Sequence, residues 1–375
     1  MQVERFTADS AAELGSRLRD LKKRFSPTLA IVFSSPFLDI AECAEAVKEC
    51  GCPVFGSSTD GEILPGTGGT PIFEQSAVCC LLDPDPSAFA VRLFPRGELS
   101  SFELGRQAGS WGAARFKRPV FIIAVSGLAN DSEAIIRGIQ QHAPQGATIA
   151  GGIAGDDNAF EKTFSFSHEG LTDDGIVAMV MDSDRISLSS FTTSGWKGVG
   201  VEMTVTSSSG NEVRSIDGRK PVDLVAEYLN IRKEDIIATA LSFPMLVRKP
   251  DGREVLRTAL SADLGSGSLT YAGSVPEGSK IRFSSSFGFE TVEATIRDLE
   301  EYHAKNPGAD LVILFDCCAR HQAAGNRIID EISAIADLWK APLVGFFTYG
   351  EIGHTRDGAC DVFNETLSLA LLKFT

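Results

Sequence analysis

Apolar positions along this chain fall into short runs that recur with a helix-length stretch between them. The run 28–33 (TLAIVF) passes through SSP into a segment, 38–50, whose apolar spacing predicts a helix, and then into PVFG at 53–56. Runs of this length, rich in β-branched and aromatic residues and bounded by Ser, Pro and Gly, predict strands. A second copy runs from 119–125 (PVFIIAV) through a predicted helix at 131–142 to ATIAGG at 147–152. A third runs from 310–315 (DLVILF) through DCCAR at 316–320 and a helix reaching Lys340 to PLVG at 342–345. Each copy reads as strand, helix, strand, and each ends a buried strand at glycine.

The first and third copies share letters as well as pattern. PVFGSSTDGEI (53–63) aligns without gaps on PLVGFFTYGEI (342–352), with Pro, Gly, Thr, Gly, Glu and Ile matching at a constant offset of 289, the difference between 345 and 56. An apolar strand that breaks at glycine and continues as Thr-x-Gly-Glu brings backbone N–H groups, a hydroxyl and a carboxylate to one sheet end, where open α/β sheets bind ligands. The plainer alternative is that Gly56, Gly61, Gly345 and Gly350 serve turn geometry alone.

Between the copies, the runs 76–82, 88–94, 175–181 and 185–191 alternate and are punctuated by Asp, Pro, Gly and Ser, which predicts antiparallel hairpins. A polar turn cluster at 207–212 precedes a helix opened by Pro221 and reaching Leu229. Short strands follow over 243–283, then a helix over 289–305 and a closing strand over 367–374. The expectation is an α/β protein of two packed, partly duplicated regions, 1–215 and 216–375, each combining strand-helix-strand units with antiparallel strands.

Composition narrows the function classes. The 375 residues carry 35 Lys plus Arg against 50 Asp plus Glu, a formal net charge of −15, which argues against nucleic-acid and anionic-membrane partners. The N-terminus has no long apolar run or cleavage signal and no segment of about 18 apolar residues follows, so a cytoplasmic location is expected. The eight cysteines then read as reduced thiols. Cys50-Gly51-Cys52 has the wrong spacing for a ribbon-type zinc site, and no metal is expected.

The nucleotide-binding, zinc-protease and serine-hydrolase signatures are missing from the sequence. Two readings of the third copy remain. In one, Arg320 clamps a carboxylate and Glu351 accepts from an ammonium group, which suits an amino-acid-like ligand, unless the two pair with each other. The loops 316–320 and 348–351 follow strands expected to be parallel neighbours, so they open at one sheet end. Arg320, Thr348, Tyr349 and Glu351 are therefore the candidate ligand residues, with Cys317 beside them and Trp196 as an aromatic wall. In the other reading the protein is an enzyme: Cys317 is a nucleophile and His321, one helical turn on, its base, with Glu351 nearby and the helix dipole lowering the thiol pKa. Against this stands the tendency of free cysteine to be a small buried residue.

Five motifs in order resemble the FIST family: GSSTDGE at 56–62, GGIAGD at 151–156, Gly195-Trp196 with the strand pair around 205–213, CCAR at 317–320, and GFFTYGEI at 345–352. The resemblance covers most of the chain as FIST N-like and FIST C-like regions. It implies a small-ligand sensor that regulates a signalling partner in trans, such as a histidine kinase, and some members are similar to nitric-oxide-responsive haem proteins. Haem needs an apolar slot and an axial ligand. Of the five histidines, His142 and His303 fall near polar helix ends and His168 in a strand turn, so His321 and His354 alone sit beside the predicted site.

Overall fold

A computed structural model describes residues 1–66, 69–240, 242–285, 288–355 and 358–375. The chain builds the same unit of strands and helices three times. The first comprises β1 (Val3–Ala8), α1 (Ala11–Lys22), β2 (Leu29–Ser34), α2 (Ile40–Ala46), β3 (Val54–Ser58), β4 (Glu62–Ile63), β5 (Ile72–Phe73) and β6 (Ala77–Leu82). Its helices start where side chains can satisfy free backbone N–H groups: Ser10 accepts from Glu13 N, and Asp39 from the N–H groups of Ala41 and Glu42. The second unit comprises β7 (Phe89–Pro95), α3 (Ser101–Arg115), β8 (Pro119–Ser126), α4 (Ser132–His142), β9 (Ile149–Ile153), β10 (Ser165–Ser167), β11 (Gly170–Thr172) and β12 (Gly175–Asp182).

The third unit opens with β13 (Ile186–Thr193) and is interrupted by an inserted domain. The insertion holds β14 (Gly198–Ser209), β15 (Glu212–Ile216), α5 (Pro221–Leu229), α6 (Ile236–Ala240), β16 (Met245–Arg248), β17 (Glu254–Arg257), β18 (Ala259–Asp263), β19 (Ser268–Tyr271) and β20 (Lys280–Ser284). The unit then resumes with α7 (Phe289–Lys305), β21 (Leu311–Cys317), α8 (Cys318–Ala324), α9 (Ile328–Trp339), β22 (Leu343–Thr348), β23 (Glu351–His354), β24 (Cys360–Phe363) and β25 (Leu367–Phe374). The inserted strands form one antiparallel sheet ordered β17-β16-β20-β14-β15-β19-β18.

Each unit makes a sheet of the same order: β1-β6-β2-β3, β7-β12-β8-β9 and β13-β25-β21-β22. In each, the strands flanking the crossover helix run parallel, as the sequence copies predict. Each sheet is completed by a hairpin from another unit. Strands β10-β11 extend the first sheet beyond β3, β23-β24 extend the second beyond β9, and β4-β5 extend the third beyond β22. The three units thus exchange hairpins in a closed cycle.

Register fixes the exchange. Gly56, Gly151 and Gly345 stand at the same place in β3, β9 and β22, opposite Val32, Ile123 and Leu314. On their other side they pair with Phe166, Ile352 and Ile63 of the incoming hairpins. A Cβ on Gly56 would lie 2.1 Å from the Phe166 ring, so the strand accepts the large side chain only where its own is missing.

Period-2 alternation sorts the side chains of each sheet between two cores. Ile31 and Phe33, Ile122 and Ala124, and Ile313 and Phe315 join one central core shared by all three units. Their neighbours Ala30 and Val32, Phe121 and Ile123, and Val312 and Leu314 face outward to the helices. Phe33 and Phe346, from different units, meet with ring centroids 4.5 Å apart, and each buried Phe contributes about 1.5–3 kcal/mol.

The predicted strands at 76–82, 88–94, 175–181 and 185–191 form, but consecutive ones are not hairpins. β6 and β7 belong to different sheets, as do β12 and β13, while β7 pairs with β12. Every residue of β6 is buried, so a strand covered on both faces lacks the one-sided alternation of a solvated hairpin, and the linker after it steps into the next layer. Among the described residues no helix is long and apolar enough to cross a membrane.

Candidate functional site

The ends of β3, β9 and β22 converge, and their turns bond to one another in a ring. Asp60 N donates to Phe347 O (2.9 Å) and Phe347 N to Gly61 O (2.8 Å), joining the first unit to the third. Tyr349 N donates to Ile153 O (3.0 Å) and Ile153 N to Gly350 O (2.8 Å), joining the third to the second. Gly155 N donates to Ser58 O and Asp157 N to Thr59 O, both at 3.2 Å, closing the ring.

The repeated Thr-x-Gly-Glu motif builds the same internal staple twice. Thr59 and Ser76 donate to the two oxygens of Glu62, the latter at 2.8 Å. Thr348 and Thr366 donate to those of Glu351 at 2.5 and 2.7 Å. Both glutamates are fully buried. Burial pushes Glu62 up to about 8 and Glu351 well above the usual carboxylate range. Thr348 and Glu351 thus tie the turn to the strand that follows, behind the surface.

Around these staples runs a rim of other residues, in which Asn158 and Phe160 are exposed, Asp157 and Tyr349 half-buried, and Asp60 and Asp156 buried. Tyr349 is half-buried, donates its hydroxyl to Asp156 and stacks on Phe160, with centroids 4.5 Å apart and rings 11° from parallel. Asp60 accepts from Asn158 N (2.5 Å) and Nδ2 (2.9 Å), and Gln322 donates to Asn158 Oδ1 (2.6 Å). Asp157 accepts from Ser35 Oγ at 2.5 Å. His321 lies flat on Phe347, 4.1 Å away, and burial pushes its pKa down. Burial raises Asp60 to about 7, and the neighbouring Asp157 and Asp156 charges add to the rise. Asp157, Asn158 and Phe160 hold left-handed φ values of 52°, 61° and 52°, a concentration of uncommon backbone on one loop.

Arg320 lies behind this rim and is not paired with Glu351. Its guanidinium grips Glu331 (Nη2–Oε1 2.5 Å, Nε–Oε2 3.2 Å), Ser194 O (2.5 Å) and Thr295 Oγ1 (2.8 Å), and stands 5.4 Å from the Trp196 ring centre. Asp316 is 3.9 Å from Arg320 Nε, and burial drives its pKa far up. Trp196 is 9% exposed and also borders an outer cleft of about 470 Å³ between the 191–197 segment and α7. Cys317 precedes α8, but burial raises its pKa rather than the dipole lowering it, because a thiolate 3% exposed lacks solvation.

His354 sits elsewhere, in a cavity of about 400 Å³ with Ser189, Ser190, Tyr302 and Lys305. Its Nε2 accepts from Ile149 N at 3.2 Å and its Nδ1 meets Gly358 O at 3.0 Å. Both ring nitrogens are therefore engaged, and the cavity is walled largely by polar side chains where haem needs an apolar slot. His354 thus has no free ring nitrogen to offer an axial bond in this arrangement, whereas His321 is held by stacking on Phe347. Among the described residues no group of three or more His, Cys, Asp and Glu side chains is placed to hold a metal ion.

The sequence reading brings Tyr349 and His321 to the rim and places Arg320, Thr348, Glu351, Cys317 and Trp196 close behind it. It passes over Asp60, Asn158 and Phe160. Asp60 carries a usable signal, since it stands 289 positions before Tyr349 in the aligned motif.

Compared with known families, residues 28–219 match the FIST N domain and residues 221–354 the FIST C domain. No curated protein sequence matches the chain significantly.

Proposed function

The chain belongs to the FIST family, whose domains are small-ligand sensory modules of signalling proteins, and on that premise we propose that its ligand seats on the strand-end rim. The observation that carries this reading is the ring of turns: a molecule touching Asp60, Asn158 and Tyr349 touches all three units at once. Its binding therefore changes contacts between units, which is how a small ligand biases a larger arrangement. The carboxylates of Asp60, Asp156 and Asp157 beside the stacked Phe160 and Tyr349 rings favour a small ligand with an ammonium group, an amino acid or amine. The readout belongs to a partner signalling protein, a histidine kinase being the kind the family resemblance suggests.

Two observations set this reading above the others. Burial raises the Cys317 thiol pKa and lowers that of His321, and both shifts oppose proton transfer from the thiol to the imidazole. A haem-linked reading gains no support from His354, which is engaged at both ring nitrogens. A thermal-shift screen of amino acids and small amines tests the proposal. A compound that raises the melting temperature of the wild type, and binds Tyr349→Ala at least about tenfold more weakly, supports it. Equal affinity for both proteins would place the ligand elsewhere.

A further inference from the structure

Cys50 and Cys52 lie outside the site described above, on the outer side of the first unit. Cys50 ends the single turn Val47–Cys50 that follows α2, Gly51 reverses the chain with φ 68°, and Cys52 leads into β3. That reversal turns both side chains to one place: the two sulfurs are 3.3 Å apart, and Cys50 Sγ is 3.5 Å from Cys52 O. The pair is 2% and 8% exposed, but the intervening Gly51 is exposed at the surface. The ammonium of Lys22 stands over Gly51, 2.8 Å from where a Cβ would be. The adjacent pairs Cys79-Cys80 and Cys317-Cys318 differ: Cys79 and Cys80 point into opposite cores, and Cys317 and Cys318, at the junction of β21 and α8, both have raised thiol pKa values.

We propose that Cys50 and Cys52 are a modification site, a dithiol that a hydroperoxide oxidises reversibly to an intramolecular disulfide. The sulfurs need to approach by little more than an ångström to reach bonding distance, about 2.05 Å. The Cys50 thiolate attacks one peroxide oxygen, the O–O bond breaks, and Cys50 becomes a sulfenic acid. The departing hydroxide leaves as water with the proton released from Cys50. The Cys52 sulfur then attacks the sulfenic sulfur and loses its own proton, the S–O bond breaks, and a second water departs. Two thiols have given up two electrons and two protons, and hydrogen peroxide, the hydroperoxide of the test, is reduced to two waters.

The roles of the two sulfurs follow from their surroundings. Cys50 accepts the hydrogen bond of the Cys52 thiol and feels Lys22, and these hold its pKa below the ordinary thiol value against the effect of burial. Cys52, as the donor of that bond and itself buried, is pushed up, which suits the resolving thiol. A bond closing so short a loop is strained, and strained disulfides are the readily reduced, switchable ones.

The test uses the full-length reduced chain, treated with a small excess of hydrogen peroxide, alkylated, digested and mapped by mass spectrometry. The expected product is two hydrogens lighter, has Cys50 and Cys52 joined within one unalkylated peptide, and reverts with dithiothreitol. Cys50 should react at least about tenfold faster than the fully buried cysteines. Cys52→Ala should stop at a Cys50 sulfenic acid that dimedone captures, and Cys79→Ser should still form the bond. The proposal is overturned if the folded wild type keeps both thiols, if the disulfide maps to Cys79 or to a second chain, or if Cys52→Ala yields the same disulfide mass.

Discussion

Asp60 and Tyr349 occupy equivalent positions in two units 289 residues apart, and both reach the same loop of the third participant: Asp60 binds Asn158, and Tyr349 binds Asp156. A repeat that presents different side chains at one position makes an asymmetric site from a nearly symmetric frame. The carboxylate and the phenol face a common rim, while the glutamate two residues beyond each is turned inward.

Binding of an ammonium-bearing ligand should depend on the ionisation of Asp60. Its folded pKa of about 7 means that the carboxylate forms across neutral pH, so affinity should rise several-fold from pH 6 to 8. Isothermal titration at the two pH values checks this. In Asp60→Asn the affinity should be lower and the pH dependence largely lost.

The buried acids should make the fold less stable in mild base. Burial raises Glu62 and Glu365 from 4.5 to about 8, so the unfolded chain ionises them first. Their stabilising contribution is complete below about pH 4.5 and is lost as pH rises to about 8. The melting temperature should accordingly fall over pH 5 to 8, by several degrees. Glu62→Gln should flatten part of that slope, which a series of calorimetric scans would show.

Glu133 on α4 should be among the costliest residues to truncate. It accepts from Arg257 Nη2 (2.7 Å) and Lys249 Nζ (3.0 Å) of the inserted domain, both of which are almost fully buried, and Lys249 also binds Asp361 of β24. Burial alone would raise the Glu133 pKa, but the two cations more than reverse it. Glu133→Ala leaves the buried Arg257 without its carboxylate partner and Lys249 with Asp361 alone, at a cost of about 3–5 kcal/mol in urea unfolding. A change below 1 kcal/mol would show that the latch is not important for stability.

Crowding at the exchanged hairpin is testable at Gly56. Gly56→Ala forces its Cβ into the Phe166 ring and should destabilise by about 1–3 kcal/mol. Adding Phe166→Leu should recover part of the loss, since the two residues share one space.

Much of this frame was legible in the sequence because its causes are local. Buried parallel strands must be apolar runs, crossover helices must be amphipathic, and Gly56 and Gly345 match because neither position has room for a Cβ, which would strike the Phe166 ring at Gly56 and Leu314 of the neighbouring strand at Gly345. The second unit's membership in the cycle was harder to see. Its turn carries no Thr-x-Gly-Glu, and Ser165 takes the register place of the two glutamates, so Asn158 and Phe160 gave no aligned signal. The hairpin exchange is a property of partners far apart in sequence, which alternation cannot report. The motif alone makes Arg320 look like a ligand clamp, because its partner Glu331 lies in the next helix, beyond that motif.

The most direct test of the central claim is hydrogen–deuterium exchange on the full chain with and without the strongest amino acid or amine from the thermal-shift screen. The account predicts new protection in all three turns together, at 59–61, 154–160 and 348–350, with the start of α8. Protection confined to the cleft between the 191–197 segment and α7, with the three turns unchanged, would contradict it.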